Sequence, residues 1–233
     1  MAINSQQWLG KGAAKTTHTA ILSIFNAPAE SSSSSESRLG RKPNEAVVAK
    51  RFYFASDVVQ NNSTGMVPKE AKIKRYSFVD ERRKVEAEAN LLYWADSLMS
   101  FANSWIQAQI TQRTNNGDPC PLTIPRLRFV RGGVASVQGG YHGSSEVGKL
   151  FFQPSSTYLI EEVIPSALGD FTKYVHNVDA TPQLPSFGGP AYEIAEFLCF
   201  VQHIQYWKMD AMVYISDFQG AWHGFQRLPA WQC

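Results

Sequence analysis

The sequence predicts an α+β fold, strand-rich in its first part and carrying one long helix. Short apolar or alternating runs recur at Thr17 to Ile24, Ala46 to Phe54, Tyr158 to Ile164 and Met212 to Ser216. Such runs, bounded by polar or turn-forming residues, are the mark of strands. From Asp80 to Gln109 the apolar residues instead recur at steps of three and four, the period of one helix face. With 233 residues and 44% hydrophobic content, the chain can bury a substantial core as one large domain or two lobes.

Charge and cysteine content narrow the function classes. A net charge of +2 and a pI near 8.4 give no argument for a nucleic-acid surface or an acidic partner, so any basic patch must be local. Cys120, Cys199 and Cys233 form no pairing pattern, and an odd, sparse count suits free thiols in a reducing compartment. The opening MAINSQQWLGKG has neither the basic cluster nor the apolar core of a signal peptide, and no stretch approaches the roughly 18 apolar residues of a membrane span. The expectation is an intracellular, cytoplasmic protein with no membrane or nucleic-acid partner, whose sequons at Asn61 and Asn62 stay unmodified.

Taken in order, residues 7 to 25 place Gly10 and Gly12 around Lys11, before an alternating segment. This reads as a glycine-rich turn joining two strands. Glycines there either let backbone amides approach phosphate oxygens or simply form an ordinary hairpin. Residues 27 to 45, with Ser31 to Ser35 between Pro28 and Pro43, read as a flexible surface loop and not a domain boundary. The strand AVVAKRFYF follows, interrupted by Lys50 and Arg51. Neighbours on a strand point to opposite faces, so one of these two points inward if both faces are covered, and an inward lysine needs an anion. The alternative is an edge strand with Lys50 in solvent.

The long helix has Asp80 as its expected N-cap and a stripe of Leu91, Leu92, Ala95, Leu98, Met99, Ala102, Trp105 and Ile106. Glu88, four residues before Leu92, is carried toward the core by that stripe. It is the expected partner of a buried lysine, or else a rim residue. Ile124 to Val130 then reads as a strand, Gly132 to Gly148 as a glycine-dense stretch, and Lys149 to Phe152 as another strand. In the strand YLIEEVI, Glu161 and Glu162 either flank a hinge that offers backbone groups to a ligand or are solvated. After FTKYVHN and a Pro- and Gly-rich loop, a second helix is expected over Ala191 to His203, with His203 closing it. Last comes MVYISDFQG, an apolar run expected to be a buried strand delivering Asp217 to its end. An acid so placed can hold magnesium with the amide oxygen of Gln219 as a second hard ligand, or it can be a turn former or helix cap.

Listed by position, a glycine flap, a strand lysine, a helix glutamate, a hinge-like strand and a metal-type acid stand in the order of a protein kinase, but no HRDxxxxN loop lies between Glu161 and Asp217. The chain resembles the alpha-type atypical protein kinases. LGKGAAKTTHTA is similar to their glycine-rich strand pair, VVAKRF to their lysine strand, LIEEVI with FTKYVHN to their hinge and the segment after it, and HIQYWKMDAMVYISDFQG to their DLQG region. The resemblance implies a two-lobed kinase-like fold, with residues 1 to 160 as the N-lobe and 161 to 233 as a partial C-lobe of one domain. It also implies transfer of the ATP gamma-phosphate to Ser or Thr of a protein substrate. Lys50 and Asp217 would be catalytic. Gly10, Gly12, Lys50, Glu88 and Glu161 would bind ATP, with Lys50 on the phosphates and Glu88 as its ion-pair partner. Asp217 and Gln219 would hold magnesium, and His203 falls where the family has the first ligand of a structural zinc.

The chain departs from the family after DFQG. The Thr-Asp-Pro segment and the histidine and two cysteines that complete the zinc site are missing from AWHGFQRLPAWQC, although His223 and Cys233 occur there. The expectation drawn is that residues 221 to 233 are an altered or truncated end. The same departure gives an alternative function, a catalytically silent ATP-binding pseudokinase or scaffold.

Overall fold

The computed structural model describes residues 1–23, 39–40, 42–56, 72–118, 124–125, 127–138, 154–165, 170–187 and 189–221. The serine run, the two sequons, the expected strand at Lys149 to Phe152, Cys120, His223 and Cys233 lie outside these residues. In chain order the elements are β1 (Ala2–Lys11), β2 (Lys15–Leu22), β3 (Glu45–Phe52), β4 (Phe54–Ser56), β5 (Lys72–Lys74), α1 (Phe78–Asn115), β6 (Gly132–Gln138), β7 (Pro154–Glu162), β8 (Thr172–Lys173), α2 (Pro190–Lys208) and β9 (Gln219–Gly220). The protein is α+β, a curled strand-rich sheet with two helices. It divides into two units, Met1–Leu92 with Val130–Val163, and Tyr93–Phe129 with Ile164–Cys233. The long helix, expected to belong wholly to the first lobe, is therefore shared after Leu92.

The first unit is built on a five-stranded sheet in the order β1-β2-β3-β7-β6, antiparallel at every step. Alternation assigns its faces. Ala20, Val47, Ala49, Tyr158 and Ile160 occupy matching positions on one face and form a buried cluster. The first half of α1 serves the sheet. Its N-cap is Ser77, not Asp80: the Ser77 hydroxyl accepts from the Asp80 amide at 3.2 Å and donates to the Asp80 carboxylate at 2.6 Å. Asp80 stands at the third helical position, the reciprocal place of a capping box.

Residues read as a glycine-dense stretch include β6, and its first residue shows why. A Cβ added at Gly132 would lie 2.3 Å from Leu92 Cδ2 and 3.4 Å from the Ile160 carbonyl oxygen. Glycine there admits the α1 side chain against the sheet, a close approach that a strand Gly often marks. Gly132→Val is expected to destabilise the protein by about 1–3 kcal/mol, the range for overpacking. Chemical denaturation would measure it, and Leu92→Ala in the same chain should recover part of the loss.

In the second unit, Met99, Ala102 and Ile106 of α1 join Ile194, Ala195, Leu198, Val201 and Ile204 of α2 in one buried cluster. This follows the predicted stripe, although Leu91 is exposed. Ile124, Leu127 and Phe129 also pack on this core, but from irregular backbone and not from the expected strand. Pro125, which cannot donate to a ladder, stands near the start of that segment. The α2 helix runs five residues past His203, because Ile204 continues the buried face. It stops where Asp210 and Ala211 turn to left-handed φ of 51° and 63°.

The buried strand expected over Met212 to Ser216 does not form, and only Gln219–Gly220 pairs, with Thr172–Lys173. Two helix amides take the place of a partner strand. The Ile215 amide donates to Gln205 Oε1 at 2.9 Å, and Gln202 Nε2 donates to the Ile215 carbonyl at 2.7 Å. With the Ile215 backbone satisfied in this way, the segment leaves Met212 78% exposed. Among the described residues no helix is long and apolar enough to cross a membrane.

Candidate functional site

The sheet face opposite the first unit's buried cluster brings together three of the residues singled out in the sequence, Lys50, Glu161 and, from α1, Glu88. Thr17 lies opposite Lys50, Lys50 opposite Leu159 and Val48 opposite Glu161, so Lys50 and Glu161 are diagonal neighbours on that face. Lys50 Nζ is 2.6 Å from Glu161 Oε2, with the side chains 29% and 15% exposed. Lys15, two residues before Thr17 and on the same face by alternation, pairs with Glu88 of α1. Two lysines and two glutamates thus share one face.

The expected Lys50–Glu88 pair is corrected by this geometry. Glu88 is carried toward the sheet as the periodicity required, but it meets the lysine at the start of β2. Lys50 finds its carboxylate on the neighbouring strand, which needs no helix. Glu161 is neither solvated nor free along its backbone, since it is flanked by Val48 on one side and Gly132 on the other. Val163 is the first β7 neighbour beyond both ladders, and it is exposed. Lys15 was missed by sequence reasoning; the signal that could have found it was its position directly after the glycine turn.

The glycine turn is part of the same region. Gly10 lies opposite Thr17, the Gly12 amide donates to the Lys15 carbonyl at 2.9 Å, and the Tyr53 hydroxyl donates to the Gly12 carbonyl. A Cβ would meet nothing within 4 Å at Gly10 and only the Lys15 carbonyl, at 3.7 Å, at Gly12. Packing does not demand glycine at either position.

Arg51, the other charge of the lysine strand, has a separate partner. Its guanidinium donates to both oxygens of Glu81, at 2.6 and 3.3 Å, and the Thr157 amide donates to Glu81 Oε2 at 2.9 Å. Glu81 is fully buried. Nearby, Arg75 donates to Thr16 Oγ1 at 3.0 Å and to the Phe52 carbonyl at 3.1 Å. Burial, then the charge of Arg51, press the Arg75 pKa below its ordinary value. At the far end of the strands, Arg131 donates to Glu162 at 2.7 Å and to Glu45 at 3.2 Å, and its hydrogen bond to Glu162 raises its pKa. These groups clamp the sheet, while Lys15 and Lys50 lie on the face that α1 approaches through Glu88 and Leu92.

In the second unit, Asp217 adopts a left-handed φ of 58°. Its Oδ1 is 2.6 Å from Lys173 Nζ, and both side chains are more than a third exposed. Asp is among the few residues that tolerate this conformation, and strained backbone gathers at functional sites. Phe218 between them is buried, stacked on Phe129 at 6.2 Å, while Gln219 is exposed and its backbone pairs with Lys173. One buried ring therefore fixes an acid and an amide on either side of it. A carboxylate and an amide oxygen are the hard donors magnesium takes, and here the carboxylate is paired with Lys173. His203 is exposed on α2, and among the described residues no three His, Cys, Asp or Glu side chains gather as a metal site. Lys173 is the residue sequence reasoning missed here, hidden in a short polar-aromatic segment.

Compared with models of protein families, with curated proteins and with solved structures, the chain gives no match.

Proposed function

We propose that this chain is an ATP-dependent protein serine/threonine kinase of alpha type, two-lobed, acting on a protein substrate. The observation that carries the reading is the sheet face on which Lys50, held by Glu161, and Lys15, held by Glu88, lie beside a glycine turn that packing does not require. Two part-buried ammonium groups on rigid strands suit two phosphate groups, because the strands fix them before the ligand arrives and less ordering is needed on binding. The absence of side chains at Gly10 and Gly12 would let a phosphate approach the turn closely, although the Gly12 amide is already bonded to the Lys15 carbonyl. In the second unit, Asp217 and Gln219 would offer magnesium the hard oxygen donors it takes. Lys173 pairs with Asp217 at 2.6 Å.

The second reading, an ATP-binding module without phosphoryl transfer, is favoured by one feature. Lys50 and Asp217 both have their countercharges within the chain, so neither needs a ligand to be stable. Labelled-phosphate transfer from magnesium ATP to the protein itself and to a generic basic substrate separates the two. Transfer is expected, and Asp217→Ala should lower it by at least about a hundredfold, the scale of losing one preorganised charge. ATP binding without transfer assigns the second reading; neither binding nor transfer overturns both.

A further inference from the structure

The second unit contains an aromatic corner that the kinase reading does not use. Trp105 of α1 and Trp207 of α2 meet edge to face, with centroids 6.0 Å apart and planes at 86°. Lys208 Nζ lies 4.0 Å from the Trp207 ring centroid and 5.1 Å from that of Trp105. Both distances are within the roughly 6 Å over which a ring face attracts a cation. Trp105 is anchored on the buried cluster, whereas Trp207 is 58% exposed. One wall is thus rigid and the other open to solvent. Lys208 is exposed and has no carboxylate partner among the described residues, so the two rings are what hold its ammonium.

We propose that the Trp105–Trp207 corner is a cation-binding site for a trimethylated lysine side chain of a protein partner, filled in the free protein by Lys208. The corner already holds the ammonium of a lysine side chain, which sets the class of ligand. Lys208 leaves easily: a compact ammonium is strongly hydrated, and its last-turn position keeps it favourable near the α2 C-terminus once it swings into water. A quaternary ammonium cannot donate hydrogen bonds to water and gains more from two ring faces, which is how aromatic cages recognise it. Lys208 then acts as a competitor that sets the threshold for binding.

The test uses the full chain labelled with nitrogen-15, whose six tryptophans give six indole N–H signals. The probe is Nα-acetyl-trimethyl-lysine amide, with the unmethylated amide and choline as comparators at equal ionic strength. The trimethylated probe is expected to move the Trp105 and Trp207 signals saturably, with a midpoint about threefold or more lower in Lys208→Ala, as a cation–π interaction of this size implies. Choline and the unmethylated amide should bind more weakly. In Trp207→Leu the Trp105 signal should stay still, and in Trp207→Phe, which keeps a smaller wall, it should move at higher probe concentration. The proposal is overturned if no indole signal saturates in Lys208→Ala, if Trp105 still responds in Trp207→Leu, or if choline binds as well as the trimethylated probe.

Discussion

Glu81→Ala is expected to destabilise the protein by about 3–5 kcal/mol, the cost of breaking a buried ion pair by removing one partner. Glu81 is fully buried and has two kinds of donor, the guanidinium of Arg51 and the backbone amide of Thr157. The amide matters because the β3–β7 ladder ends at Lys50 and Leu159, so Thr157 has no β3 residue opposite it. The carboxylate continues the ladder by side chain where the strands part. Truncation leaves an amide and part of a guanidinium without acceptors, and Arg75 alongside adds a second positive charge. Denaturant unfolding would read the loss directly. Glu81→Gln, which keeps an acceptor for Thr157 but not the charge, should cost less than alanine. Replacing both partners, Arg51→Met with Glu81→Leu, should recover part of the stability, since an apolar pair leaves no charge unpaired although the Thr157 amide still loses its acceptor. A loss of under about 1 kcal/mol in Glu81→Ala would show that water reaches the site and that the network is not what joins α1 to the sheet.

This network also marks the limit of what the sequence disclosed. Periodicity carried Glu88 to the right side of α1 and predicted the burial of Met99, Ala102 and Ile106, because a helix face is written in spacing alone. Which lysine Glu88 meets depends on strand order and register, and neither is encoded locally. Lys50 was legible as a strand residue needing an anion; Glu161 as that anion required knowing that β7 lies beside β3. The run at Met212 to Ser216 misled for a different reason. Its apolar residues read as a strand buried on both faces, but α2 supplies hydrogen bonds through Gln202 and Gln205, and two glutamines on a helix carry no signal that they will act as a strand edge. The β6 strand was lost among glycines because Gly132 serves the approach of Leu92, a reason visible only in three dimensions.

Lys50→Ala should abolish the stabilisation of the protein by magnesium ATP while leaving the unliganded protein almost as stable as before. The two parts of this expectation have separate causes. The Lys50–Glu161 pair is partly solvated, at 29% and 15% exposure, so its contribution to folding is about 1 kcal/mol or less. On the proposed nucleotide reading its contribution to binding is larger, because truncation would remove a phosphate partner and would also leave the Glu161 carboxylate unneutralised beside the phosphates. At a ligand concentration a hundred times Kd, the parent protein should gain about 2.7 kcal/mol, a shift visible as a rise in melting temperature. Glu161→Gln distinguishes a binding lysine from a purely structural pair: it removes the carboxylate that competes for Lys50, so ATP should still stabilise that variant, whereas in Lys50→Ala it should not. An equal rise in the parent and in Lys50→Ala would remove Lys50 from the nucleotide site and leave the pair as a brace between β3 and β7. A rise lost equally in both variants would instead mean that Glu161 positions the ammonium, making the pair the binding unit.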